Sequence, residues 1–183
     1  MIYKREDTAK KAAMATAGQM VAAAVTAPKG CGIDNIEVVI LDGEEKDILA
    51  GHMRDIGSET GEDFYIRDAG NVENSHCVVV IGVRNEPILL EHCGLCGFEN
   101  CAEMAGAGAN CAFNITDLGI AVGSAVSVAA DNRIDNRVLF SAGKAAIRMK
   151  CLPDSVRVCY GIPLSISSKS IFFDRETEDV TGE

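Results

Sequence analysis

His76-Cys77-Val78-Val79-Val80-Ile81-Gly82-Val83 is a continuous apolar run, mostly β-branched. A strand with one wet face would alternate polar and apolar residues. A run without alternation predicts a central strand covered on both faces. Two further runs extend the sheet, Asn35 to Leu41 (NIEVVIL) and Ser155 to Ile162 (SVRVCYGI). Helical stretches surround them. Thr8 to Thr26 is alanine-rich and ends at Pro28 and Gly30. After an Asp42-Gly43 turn, Glu44 to Ile56 places Ile48, Leu49 and Met53 on one face. Gly57 to Asn74 is polar and glycine-containing, which predicts a loop. Asn114-Ile115-Thr116 reads as the N-cap region of a helix over Asp117 to Ala130, with Asp117 favourable in its first turn. That helix is crowded with small residues, so another helix or a flat ligand can approach its backbone. The second half of Asn136 to Lys150 predicts another helix. The order predicts an α/β or α+β protein of three αβα layers around one mixed sheet, with 1–183 as a single domain.

Of the 183 residues, 48% are hydrophobic and 24% charged, which supports a real core and excludes a disordered chain. The formal net charge of −10 repels phosphate backbones, so no nucleic-acid partner and no anionic membrane is expected. Ala12 to Pro28, the most apolar stretch, is broken by Gly18 and Gln19 and is too alanine-rich to span a bilayer. Glu6 and Asp7 stand where a secretory leader would be basic. These features predict a cytoplasmic protein whose thiols stay reduced. Its eight cysteines then point to metal or redox chemistry before disulfides.

Four of those cysteines lie close together, in an embedded segment over 91–112. Cys93-Gly94-Leu95-Cys96-Gly97-Phe98-Glu99-Asn100-Cys101 gives C-x2-C-x4-C, and Cys111 follows. Glycines between them let the chain turn tightly around one centre. Four thiolates suit either an iron–sulfur cluster or tetrahedral zinc, and a loop-pinning structural zinc is the plainer alternative. His92 reads as a surface or supporting residue rather than a ligand. Cys77 and Cys159 fall in strand patterns and read as buried thiols. Cys31, between two glycines, could be exposed and reactive.

The motif CGxCGxxxC resembles that of iron–sulfur domains in corrinoid iron–sulfur proteins and membrane-associated electron-transfer subunits. That resemblance implies a [4Fe–4S] cluster on Cys93, Cys96, Cys101 and Cys111, the last lying closer than the pattern expects.

The rest of the chain resembles the flavin nitroreductases. The Ala27-Pro28-Lys29-Gly30 loop leads through Asp34 and Asn35 into a strand. Asp117-Leu-Gly-Ile-Ala-Val-Gly-Ser-Ala is similar to their small-residue dimer-core helix, and Val158-Cys-Tyr-Gly161-Ile-Pro163 to their terminal strand. This resemblance implies an α+β nitroreductase-like fold and a homodimer binding FMN at its interface. The flavin contacts it implies are Pro28, Lys29, Gly30, Asn35 and Gly143 of the Ala142-Gly143 turn, with Lys169 and Arg175 reaching from a C-terminal arm. The serine expected in the loop is Lys29, the basic N-terminal segment is reduced to Lys4 and Arg5, and the aromatic after the loop is missing. Taken whole, the chain resembles a family of uncharacterised bacterial and archaeal ferredoxin-domain-containing proteins. The elements carrying this are the cysteine segment, the Asp-Leu-Gly-Ile-Ala helix, Asp135-Asn136-Arg137 and the ending from Gly161-Ile-Pro-Leu-Ser to Phe-Phe-Asp-Arg175. The expected function is electron transfer with a redox partner protein, or flavin-dependent oxidoreduction. A non-enzymatic zinc or sensing module is the alternative.

Overall fold

The structure, a computed structural model, describes residues 1–173. Arg175 of the expected C-terminal arm lies outside the described residues. Four strands, β1 (Ile36–Asp42), β2 (Cys77–Arg84), β3 (Asp135–Asn136) and β4 (Val156–Ser165), form one sheet in the order β1-β2-β4-β3. The predicted central strand is β2. Val80 stands opposite Val39 on one side and Gly161 on the other.

The helices are α1 (Arg5–Thr26), α2 (Gly43–Thr60), α3 (Asp63–Glu73), α4 (Cys101–Gly106), α5 (Ala112–Asp131) and α6 (Phe140–Met149). Side chains of β2 alternate between two cores. Cys77, Val79, Ile81 and Val83 pack with α1 and α5. Val78 and Val80 pack with α2, α3 and α6. Covering both faces is what removes the polar alternation from β2, and each fully buried Val or Ile stabilises the fold by roughly 1.5–3 kcal/mol.

Two expectations are corrected here. The stretch 57–74 is helical: α2 continues to Thr60, and α3 follows a short turn at Gly61 (φ 74). Tyr65, Ala69 and Val72 of α3 are buried, the last two in the second core. The sheet is also antiparallel at every pairing rather than mixed. The two corrections share a cause. A single helix after β1 would return the chain to the start of the sheet and make β2 parallel to β1. The α2–α3 hairpin brings it back to the end where β1 stopped, so β2 runs the other way.

Alanines set the spacing of the first helical layer. Ala13, Ala17 and Ala24 of α1 and Ala121, Ala125 and Ala129 of α5 are all buried in one core, and Ser124 Oγ donates to Ala23 O at 2.9 Å. By length and composition α5 could cross a membrane. Here its buried stripe packs on α1 and the sheet. In the opposite layer α6 approaches β4 closely. A Cβ on Gly143 would lie 1.9 Å from Cys159 O, so this position accepts only glycine. Gly143 thus sits inside a helix, not in the expected turn. Ile48, expected on the buried face of α2, is 41% exposed, while Leu49 and Met53 are fully buried.

Candidate functional site: a four-cysteine pocket

Between β2 and α5 the chain is irregular except for α4. Its ends are tied to the sheet by polar groups. Asn85, just past β2, donates its amide N–H to Ser155 O at 2.9 Å. Its side chain donates from Nδ2 to Ala109 O (3.1 Å) and accepts at Oδ1 from the Cys111 N–H (3.2 Å). Arg157 of β4 donates from Nη1 to Gly108 O at 3.1 Å. Asn100 caps α4, accepting from Glu103 N–H at 3.0 Å, so Cys101 enters on the first helical residue. A turn closed by Gly97 N–H to Gly94 O (2.9 Å), with both glycines at positive φ (85° and 59°), joins Cys93 to Cys96.

These ties bring all four predicted cysteines to one pocket. Cys93, Cys96, Cys101 and Cys111 line it together with Leu95, Phe98, Met104 and Phe113. Its cavity is small, about 20 Å³, and it opens to solvent. Among the described residues, no three His, Cys, Asp or Glu side chains are drawn in tightly enough to grip a single ion. The thiols' chemistry still selects the occupant class: four soft sulfur donors, with no carboxylate or imidazole among the lining residues, suit iron–sulfur or zinc. Cys111 is also the N-cap of α5, a 20-residue helix whose amide end favours negative charge. His92 lies outside the lining and is exposed.

Two of the other thiols are of a different kind. Burial pushes Cys77 and Cys159 up to about 12. Cys159 Sγ also donates to Gly143 O at 3.0 Å. Cys151 is raised for the same reason, desolvation. Thiols that hold their proton this firmly are poor ligands and poor nucleophiles.

Among the described residues, Pro28, Lys29, Gly30 and Asn35 share one loop, while Gly143 lies in α6 on the other side of the sheet. Pro28 leads into a 3-10 turn over Gly30–Gly32. Lys29 folds inward, with 5% of its side chain exposed, and its ammonium donates to Ala24 O (2.9 Å) and Val25 O, near Asp34 (3.8 Å). It therefore caps the C-terminal end of α1. Gly30 N–H donates to both carboxylate oxygens of Asp117, at 3.0 and 3.1 Å. Asn35 is buried, donating to Glu86 O (3.1 Å) and accepting from Arg84 Nη2 (3.2 Å). Gly143 belongs to the opposite helical layer. Lys169 is exposed beyond β4, and its carbonyl accepts from Ser167 Oγ. Within the single chain, Lys29, Gly30 and Asn35 thus each hold internal bonds.

Several working residues escape a motif search. Helix α5 starts at Ala112, not at the Asn114–Thr116 cap the sequence suggests. Asn114, only 1% exposed, instead donates to Arg84 O (2.9 Å) and Glu86 O (2.8 Å). Asn114 and Asp117 share a helix face at i, i+3, and that face docks both the 28–35 loop and the chain leaving β2. Two polar residues at that spacing in an apolar helix are the only signal the sequence carries. Phe113 joins the two regions: it lines the cysteine pocket, and its Cδ1 lies 3.0 Å from where a Gly30 Cβ would stand.

Comparison with known proteins agrees with this architecture. The chain is similar in fold to a nitroreductase family protein from Clostridium novyi (TM-score 0.55, 16% identity, 93% of this chain and 77% of that one). It is likewise similar to a nitroreductase with bound FMN from Desulfitobacterium hafniense (TM-score 0.54, 14% identity, 92% and 81%). At such identities the likeness is one of fold, and the fold is nitroreductase-like α+β. An uncharacterised protein of Archaeoglobus fulgidus is 38% identical over 96% of this chain and 98% of its own length. Residues 107–175 match the family described as "Uncharacterized protein containing a ferredoxin domain (DUF2148)", a stretch that includes Cys111 and α5. By that match and its full-length archaeal relative, the chain belongs to the family of uncharacterised proteins containing a ferredoxin domain.

Proposed function

We propose that this is an iron–sulfur redox protein, with a [4Fe–4S] cluster held by Cys93, Cys96, Cys101 and Cys111. The observation that carries the reading is the pocket itself: four thiols around one largely apolar space. Zinc would use the same four sulfurs at about 2.3 Å, and the match to a family described as containing a ferredoxin domain favours the cluster. When bound, such a cluster supplies reversible one-electron transfer. The chain does the rest. Asn85 and Arg157 hold the 108–111 stretch against the sheet. Leu95, Phe98 and Met104 make the lining largely apolar, and the polarity around a cluster tunes its potential. The segment 91–112 is then the cluster-bearing part of one domain, working in a reducing, cytoplasmic setting.

The visible spectrum of anaerobically purified protein, before and after dithionite, tests this. Broad brown absorption that bleaches, with about four irons per chain and loss of both in Cys96→Ser, is expected. A colourless protein holding zinc overturns the cluster, and unchanged iron in Cys96→Ser overturns the ligand assignment.

The fold shared with an FMN-bound protein favours a second reading, a flavin-dependent oxidoreductase acting as a homodimer. Because the 28–35 loop is closed on itself, a flavin here needs groups from a second chain. Acid-released FMN at one per chain, in a dimer by light scattering, is the result that supports it.

A further inference from the structure

The segment 86–103, which carries three of the pocket's cysteines and serves as its rim, combines exposed apolar side chains with an excess of carboxylates. Leu95, between Cys93 and Cys96, lines the pocket and is 58% exposed. Leu89 and Leu90 lie just before Cys93 and are 73% and 40% exposed. Leu89 is held at φ 62, a backbone conformation that favours glycine. Ile88 beside it is anchored inward, its Cδ1 2.8 Å from where a Gly30 Cβ would be. From Asn85 to Asn110 the chain carries Glu86, Glu91, Glu99 and Glu103 and no lysine or arginine. All four carboxylates are on exposed residues. Two cations flank it: Arg84 pairs with Glu37 and with Glu86 itself, and the exposed Arg157 donates to Gly108 O, so the acidic excess rests on Glu91, Glu99 and Glu103.

We infer that this rim is the docking face for an electron-carrying protein whose own redox centre is ringed by lysines or arginines around an apolar patch. The inference rests on the redox reading above. Exposed leucines beside a redox centre give the small dry contact of a transient complex. The surrounding carboxylates steer a cationic partner and repel an anionic one. They also disfavour a second copy as the occupant, because stacking rim on rim sets like charges against each other. In the transfer, one electron leaves the reduced four-cysteine centre and reduces the partner's oxidised metal centre. No bond is made and no proton moves.

A lysine-rich c-type cytochrome, native and with its lysines succinylated, is the probe. Hydrogen exchange of the full-length protein maps contact, and stopped-flow haem absorbance follows reduction by dithionite-reduced, desalted protein. We expect protection over 86–99 with native cytochrome only, lost in Leu89→Ser/Leu90→Ser and in Glu91→Lys/Glu99→Lys. Haem reduction by the Glu91→Lys/Glu99→Lys variant should be about tenfold slower at low salt, with a flatter ionic-strength dependence. Reduction of a small neutral quinone should be unchanged. Protection elsewhere, or equal protection by succinylated cytochrome, overturns the inference. Protection over 86–99 that grows with the protein's own concentration does the same, since it makes the face a self-association surface. A colourless protein that still shows the native-only footprint keeps the docking face and overturns the redox reading instead.

Discussion

The Asn85 side chain holds Cys111. Its Oδ1 accepts the Cys111 N–H at 3.2 Å while its Nδ2 reaches Ala109 O at 3.1 Å. One amide at the end of the central strand therefore sets where the fourth cysteine joins the other three. Asn85→Ala should cost about 1–2 kcal/mol in urea unfolding, from two lost hydrogen bonds. It should also speed iron loss to a chelator several-fold, while Asn85→Asp restores the acceptor and part of the retention. Chelator kinetics followed by absorbance check both.

Gly143 and Gly30 differ in what blocks a side chain. At Gly143 the obstacle is backbone, Cys159 O at 1.9 Å. At Gly30 it is side chains, the terminal methyl Cδ1 of Ile88 at 2.8 Å and the ring edge of Phe113 at 3.0 Å. Gly30→Ala should cost about 1–3 kcal/mol as those side chains shift. Gly143→Ala must move α6 off β4 and should cost more than about 3 kcal/mol or prevent folding. Denaturation midpoints of the two variants, side by side, decide the ranking.

Stability should fall as the solution becomes alkaline. Cys77 and Cys159 stay protonated in the fold up to about 12, whereas an unfolded thiol titrates near 9. The folded chain then binds more protons, so their contribution is whole below about pH 9 and is lost from there toward about 12. The slope is up to about 1.4 kcal/mol per pH unit for each thiol. Urea midpoints from about pH 8 to 10.5 measure it, and Cys77→Ala should flatten the curve.

Lys29 is spent on α1. Replacing it by Gln should lower stability by roughly 1 kcal/mol, because it leaves the carbonyls of Ala24 and Val25 short of a donor. Any flavin content should stay the same. A drop in flavin stoichiometry without a change in unfolding midpoint would return Lys29 to the flavin site.

What could be read in advance follows from how local each signal is. The run Cys77 to Val83 declares a doubly covered strand by composition alone, and the structure places it inside the sheet, between β1 and β4. The alanine-rich first helix and the small-residue fifth one were equally legible. Helix α3 was missed because Gly57, Gly61 and Gly70 read as loop, although Tyr65, Ala69 and Val72 fall at i, i+4 and i+7 and are buried together. Missing it hid the antiparallel sheet. Asn114 shows the same limit: its composition reads as a cap, but its side chain serves carbonyls about thirty residues away in sequence.

Spacing, charge and β-branching belong to residues and their near neighbours. The primary structure alone therefore declares the four-cysteine set, the acidity of its surroundings and the central strand. Which groups remain available is settled by packing in three dimensions. The fold spends Lys29 on a helix end, Asn35 and Gly30 on loop closure, and Gly143 on helix–strand contact, while leaving the cysteines around one space. Buried polar groups must find partners wherever the fold places them, and no local pattern records which partner that is.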